Sequence, residues 1–408
     1  MRTRSQIDLT RSQSTVLWQA VGALAALYGS FTLGWVIYRV HLPGILTQFQ
    51  LSAELAPKLL LIEALLAIAI EPLAGLWSDK LQQQQGNRFA IITQGILLAS
   101  AFFVLIPALV LLAVPNPGMQ WLLIGLLIVW AIAMSLFRSP ALALLGRYAS
   151  AFRLPQAASL LTLAGGIAGA AMPLGNKFIL SLGIVIPSVI AAFLLLGSTA
   201  ILRSFNPQDA PTPLGEADLT TRTYPDLIPR LLLIGGLGFS LTLAFRIAIE
   251  TFPKLLKAQL PGSNPPLFVG LVFIAIAIAA IPGGQLAVRM GNRKIMLVSA
   301  IGLAIGLGLM PLITTSWLAT IVAILIGASF SLITNGTLPF TLGLLPISRA
   351  GLAVGVFFSG VSIAASLFSG VLSRPGLLSP VLTIGLGIVA LVLTGWCIIA
   401  SRSWMPAR

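Results

Sequence analysis

Gly75-Leu76-Trp77-Ser78-Asp79-Lys80, followed by Gly86-Asn87-Arg88, has an echo in Gly284-Gln285-Leu286-Ala287-Val288-Arg289, followed by Gly291-Asn292-Arg293-Lys294. The second glycine of each stretch lies 205 residues from its counterpart, and that repetition decides the fold of this 408-residue chain. Three further matches keep the same order. Tyr38-Arg39-Val40 recurs as Phe245-Arg246-Ile247, an offset of 207 between the arginines, and Pro140 recurs as Pro339, an offset of 199. The small-residue run Gly165–Ala170 corresponds to Ser359–Ala365. One such match is weak, but four in register mark two related halves arranged as a parallel repeat.

Composition says what those halves are made of. Hydrophobic residues make up 57% of the chain and charged residues only 8%, against about 25% charge in a soluble domain, and mean hydropathy is +1.01. So few charges cannot cover a water-soluble globule, whereas helices that satisfy their own backbone can be solvated by lipid. At roughly 20–25 residues per span plus short loops, the length accommodates about twelve spans. Apolar segments fall near 16–40, 53–77, 89–114, 120–146, 154–180 and 183–203, then near 227–251, 266–288, 294–314, 317–345, 350–373 and 379–401. The expected fold is an all-α membrane protein, with twelve transmembrane helices in two pseudo-symmetric six-helix bundles. Asn206 to Pro229 is the longest polar stretch, and its prolines and acids read as a flexible linker. The expected division is an N-terminal bundle over 1–204, a cytoplasmic linker over 205–226 and a C-terminal bundle over 227–408.

The net charge of +14 raises nucleic acid as a partner, but the positive charges recur at alternate ends of apolar segments rather than in one soluble domain. Of 24 Lys and Arg, sixteen fall in segments assigned to the cytoplasm. Five lie opposite (Lys58, Lys177, Lys254, Lys257 and Arg374), and Arg39, Arg138 and Arg246 sit within spans. Both termini are therefore expected in the cytoplasm, in a bacterial inner membrane or an internal one. Arg2, Arg4 and Arg11 precede a full-length span, which does not fit a cleavable signal peptide. The lone Cys397 cannot form an internal disulfide, and the lone His41 leaves no histidine-rich metal site or histidine proton relay. No cofactor or metal is expected. The expected partners are lipid and a small-molecule substrate, with the chain a monomer and no nucleic acid bound.

The glycine–acid–basic loop resembles the signature of the major facilitator superfamily, stretched in the first copy by the run Gln82–Gln85 and with Val288 replacing the acid in the second. That resemblance implies a cytoplasmic gate at Gly75, Asp79, Lys80 and Arg88, with Gly284, Arg289 and Arg293 in the second half. Glycine lets helices approach, and the acid with its basic neighbours makes a breakable ionic latch. An ordinary positive-inside loop is the plainer alternative. Glu71-Pro72-Leu73-Ala74-Gly75 with Ser78-Asp79, and Phe137-Arg138-Ser139-Pro140 in the fourth span, look like the glycoside–pentoside–hexuronide cation symporters and the sucrose/proton symporters. Against the sodium-coupled members Glu71 matches, but their second acid corresponds to Ala67 and their fourth-span acid to Arg138. An arginine would repel sodium, so the resemblance favours proton coupling or no coupling.

Ionisable groups inside a span cost at least about 2.5–3.5 kcal/mol each at the helix centre, and persist when paired or beside a wet cavity. Glu71 and Arg138 lie on spans expected to be neighbours, so an ion pair is predicted, either as a proton-coupling element or as a static packing device. Glu63 lies two turns earlier, roughly 80° away around the helix, facing either the cavity or the first span. Arg246 and Glu250 stand at i, i+4 and can pair along the helix. Arg39 and Arg246 are expected to bind a polar substrate or hold an outer gate, or else to snorkel to the interface. Asn335 and Tyr38 join them as substrate-site candidates, with Tyr28, Trp35, Trp130 and Phe245 as further cavity aromatics and Gln94 and Thr334 as further polar groups. The function expected is a proton-coupled or facilitative transporter of a small polar solute, a sugar foremost, working by alternating access. The alternative is a non-transporting helper that delivers or assembles pigment–protein complexes. No nucleotide loop, metal cluster or catalytic triad points to an enzyme.

Overall fold

The computed structural model describes residues 16–206, 226–373 and 377–404. Most of the linker expected at 205–226, and Arg2, Arg4, Arg11, Arg222, Arg374 and Arg408, lie outside the described residues. Twelve long apolar helices run in order. They are α1 (Trp18–Gln48), α2 (Leu55–Gln85), α3 (Phe89–Leu112), α4 (Pro117–Ala143), α5 (Leu154–Ser181) and α6 (Val185–Phe205), then α7 (Leu227–Gln259), α8 (Pro265–Met290), α9 (Asn292–Leu309), α10 (Ser316–Leu344), α11 (Ala350–Leu367) and α12 (Pro380–Ala400). A short turn, Leu145–Tyr148, extends α4, and a π-helical turn, Phe368–Leu372, extends α11. Large apolar side chains such as Leu112, Trp121 and Trp317 stand exposed on the outside, as lipid solvation requires and water would not tolerate.

Local signals set the helix starts at one end. Asn116 Oδ1 accepts from Met119 N at 3.0 Å ahead of α4. Thr315 Oγ1 accepts from Leu318 N at 3.2 Å ahead of α10, and Ser379 Oγ accepts from Leu382 N at 3.3 Å ahead of α12. These are side-chain caps for otherwise orphaned N–H groups. Three helices run about two turns beyond the spans expected from hydropathy: α1 to Gln48, α2 to Gln85 and α7 to Gln259. Pro43 and Pro253 lie inside α1 and α7 without ending them, because buried residues beyond each proline (Ile45 and Leu46; Leu256) still pack on the bundle. The glutamine run after Asp79 is helix rather than loop; straight-chain glutamine favours it, and it ends at Gly86, whose φ of 70° needs glycine.

Packing repeats between the halves. α1 lies on α5 and α6, α3 on α4 and α6, and α2 on α4; likewise α7 lies on α11 and α12, α9 on α10 and α12, and α8 on α10. Two long seams join the bundles, α2 against α11 and α5 against α8, with shorter contacts of α4 with α11 and α5 with α10. Small residues make the seams close. A Cβ on Gly75 would fall on the Gly351 carbonyl, one on Gly355 on the backbone of Glu71 and Pro72, and one on Gly166 on the backbone of Ala277. The small-residue runs serve two faces: Gly165 meets Tyr28 and Gly360 meets Gly235 within their own halves, while Gly169 meets Phe273 across the seam and Ser359 Oγ donates to Ile68 O at 2.7 Å. Backbone approach of this kind is how helices associate where lipid removes the hydrophobic drive.

Candidate functional site

The end of the molecule that carries Asp79, Arg88, Arg147 and Arg153 is closed by a lock built on α2. Asp79 is 4% exposed and accepts Gly351 N on Oδ1 and Leu352 N on Oδ2, each at 2.8 Å. These are first-turn amides of α11, so a carboxylate of one half caps a helix of the other at its positive end. Arg88 Nη2 lies 3.2 Å from Asp79 Oδ1, and Gln83 Nε2 donates across the seam to Ser348 O at 3.2 Å. The lock is one-sided. Gly284 packs on Ser159 and the Pro155 carbonyl as Gly75 packs on Gly351, but Val288 supplies no carboxylate there. Arg289 is exposed, and Arg293 Nη2 donates to Ser401 O within its own half at 3.2 Å. Lys80 is exposed, and no ion pair joins it among the described residues.

Two helical turns along α2, the expected Glu71–Arg138 pair is made. Arg138 Nη2 and Nε lie 2.5 and 2.7 Å from Glu71 Oε1, and Ser139 Oγ donates to Oε2. Glu71 is fully buried, with donors on both carboxylate oxygens. The Arg138 guanidinium carbon sits 4.0 Å from the centroid of Phe358 on α11 and 5.4 Å from that of Phe31 on α1. The pair belongs to the first half, but its cation rests on an aromatic face of the second, a cation–π contact that sequence reasoning did not foresee.

Beyond this layer, away from the lock, a cavity of about 320 Å³ opens between the halves. Arg39, Glu63, Arg138 and Arg246 line it among apolar and aromatic walls that include Tyr28, Trp35 and Phe273. Glu63, 4% exposed, accepts the Tyr38 hydroxyl on Oε1; Oε2 is buried with no partner. Arg39 lies 5.6 Å over Trp35, and its Nε has no hydrogen-bond partner. Among the described residues, no ion pair holds Arg39 or Arg246. Glu250 stands one turn from Arg246 without closing the expected i, i+4 pair, and it does not line the cavity.

Several candidates lie elsewhere. Asn335 is fully buried and gives Nδ2 to Ala280 O at 2.8 Å, tying α10 to α8. A helix interior offers an unpaired carbonyl lone pair to such an amide, and the sequence cannot show that. Trp130 is fully buried in the first bundle, and Tyr38 stacks on it with ring centroids 4.2 Å apart, so neither lines the cavity, although Tyr38 reaches it through Glu63. Phe245 stacks on Phe330 at 3.6 Å, and Gln94 is exposed. The residues missed were Ser139, Phe31, Phe358, Thr32, Ser135 and Ser362; of these only Ser139, next to Arg138, stood beside a named charge. Among the described residues, no group of three His, Cys, Asp or Glu could hold a metal ion.

Solved structures share this architecture. The proton:xylose symporter XylE bound to 6-bromo-6-deoxy-D-glucose aligns with 96% of this chain and 95% of its own, at a TM-score of 0.69 and 13% identity. A bacterial homologue of the iron transporter ferroportin in an outward-facing state aligns with 95% of this chain and 98% of its own, at 0.70 and 16%. FucP in the outward conformation aligns with 95% of this chain and 99% of its own, at 0.67 and 17%. No curated protein matches the sequence. The Major Facilitator Superfamily model matches residues 24–369, and with its twelve helices, paired bundles and one-sided lock the chain belongs to that superfamily of transporters.

Proposed function

We propose that this protein moves a small polar solute across its membrane by alternating access, and that the state described here is closed at the cytoplasmic end. The observation that carries the reading is the charged cavity between the bundles, with Asp79 capping α11 beneath it. Such a site costs too much desolvation to persist for packing alone. The positive-inside pattern assigns the locked end to the cytoplasm, in a bacterial inner membrane with both termini inside. The division into bundles over 1–204 and 227–408 joined by a linker supplies the two bodies that rock, and a single chain encloses the whole cavity, so a monomer suffices.

The architecture is shared with a proton:xylose symporter, which supports proton coupling and a sugar as one version of the reading. The arginines support an organic anion as the other. An apolar pigment would find three guanidinium groups in the cavity, which weighs against the helper role. Reconstituted protein in proteoliposomes, given labelled sugars and carboxylates on one side, tests the proposal: saturable uptake of one class is expected. Folded, correctly inserted protein that carries neither class in either direction would overturn it.

A further inference from the structure

We propose that the solute is a small organic monoanion with an apolar or aromatic body, held by Arg39 and Arg246, and that Glu63 carries one proton with it. This rests on the transport reading and names the occupant of the same cavity.

The cavity is short of neutral hydrogen-bonding groups. Thr32, Ser135 and Ser362 are its only lining hydroxyls besides Tyr28 among the described residues, and Thr32 Oγ1 is already bonded to Tyr28 O at 2.9 Å. A sugar, with a hydroxyl on nearly every carbon, would leave most of them unpaired, at a penalty for each buried group. A carboxylate on an apolar frame fits better: guanidinium groups for its head, aromatic and aliphatic walls for its body.

Charge sets the stoichiometry. Arg138 is neutralised by Glu71 and forms the floor. Around Glu63, α1 brings Tyr38 and Arg39, α4 brings Arg138, and α7 brings Arg246 and Glu250 across the gap. From α11 come Val361, Ser362 and Ala365, which do not ionise, and the adjoining turn Phe368–Leu372 has no titratable residue. Glu63 is the carboxylate on the cavity wall that no guanidinium pairs; protonating it removes one negative charge from the wall, and one bound monoanion replaces it. The Tyr38 hydroxyl occupies Oε1, so the incoming proton goes to Oε2, the oxygen without a partner. Glu71, sealed by donors on both oxygens, has no such vacancy.

Geometry links binding to movement. Arg39 belongs to the first bundle and Arg246 to the second, and neither has an ion-pair partner among the described residues. Facing like charges oppose closure of the outer end; an anion between them turns that repulsion into attraction on both sides. One proton and one monoanion then cross together with no net charge moved.

Proteoliposomes given lactate or benzoate, with glucose and xylose as uncharged controls, test this under separately imposed pH gradients and membrane potentials. Expected is carboxylate accumulation driven by an alkaline interior and indifferent to potential, with no sugar uptake. Arg39→Gln and Arg246→Gln should each weaken apparent carboxylate affinity about tenfold or more, with Arg39→Lys recovering part of it at unchanged thermal stability. Glu63→Gln should keep carboxylate exchange between the two sides yet lose pH-driven accumulation. Sugar uptake with inert carboxylates, potential-driven carboxylate uptake, or full accumulation by Glu63→Gln would each overturn the inference while leaving alternating access standing. Absence of all uptake would overturn both.

Discussion

Replacing Asp79 with alanine should open the locked end, and the size of the effect can be worked from its hydrogen bonds. The Asp79–Arg88 contact lies within the first half, so it does not by itself distinguish closed from open. The two bonds from Gly351 N and Leu352 N, both 2.8 Å, cross the seam and are present only when that end is shut. Hydrogen bonds to a charged group contribute about 1.5–3 kcal/mol each. The lower figure applies because water reaches the amides on opening. The pair thus favours closure by about 3 kcal/mol, which is roughly two decades in the closed-to-open ratio. Spin labels at Gln85 and Arg289, exposed positions on opposite halves at this end, would report the separation by pulsed electron resonance after Cys397→Ala removes the lone native thiol. The unsubstituted protein should give one short distance, and Asp79→Ala a large second population at longer distance. Asp79→Asn keeps one acceptor oxygen and should fall between them. Superimposable distributions for Asp79→Ala and the parent would refute the assignment of closure to this carboxylate.

Other outcomes follow from the same geometry. Glu71→Gln should lower thermal stability by about 3 kcal/mol or more, because it strands a buried cation, whereas Glu71→Leu with Arg138→Met should recover most of the loss; unfolding of purified protein in detergent compares them. Phe358→Leu removes the aromatic face 4.0 Å from Arg138 and should weaken closure by about 1–2 kcal/mol, a smaller shift than Asp79→Ala in the same distance measurement. Gly75→Ala would drive a methyl group into the Gly351 carbonyl and should abolish solute uptake while the protein still inserts, whereas Gly22→Ala, which meets no neighbouring atom within 4 Å, should transport normally.

The architecture was legible because lipid imposes a coarse code: apolar runs of fixed length, charge at one end, and a repeat that preserved glycine, arginine and proline positions. The Glu71–Arg138 pair was legible for a related reason, since opposite charges in hydrocarbon have few places to go. Reach and facing were not. Helices α1 and α7 continue past their apolar stretches because tertiary packing, rather than hydropathy, decides where they stop, while α2 runs on through its glutamines to Gly86. Glu63 and Glu71 lie on one helix two turns apart, yet one faces the cavity and the other is sealed behind Arg138, a distinction set by the neighbouring helices. Asn335 bonds a carbonyl of α8, and Phe358 meets Arg138 across the seam. Both depend on three-dimensional neighbours that no local pattern encodes. The Arg246–Glu250 spacing permits a pair that the structure does not make, with Arg246 turned toward the cavity instead.

Two-sided access to the cavity separates alternating access from a pore or a sealed bundle. A cysteine at Ala64, on the cavity wall, placed in the Cys397→Ala protein can be probed with a membrane-impermeant maleimide in right-side-out and inverted vesicles. Labelling from the outside is expected in the parent, and labelling from the other side once Asp79→Ala releases α11. Equal labelling from both sides in the parent would describe a channel, and no labelling from either side in any variant would describe a sealed protein; either result would contradict alternating access.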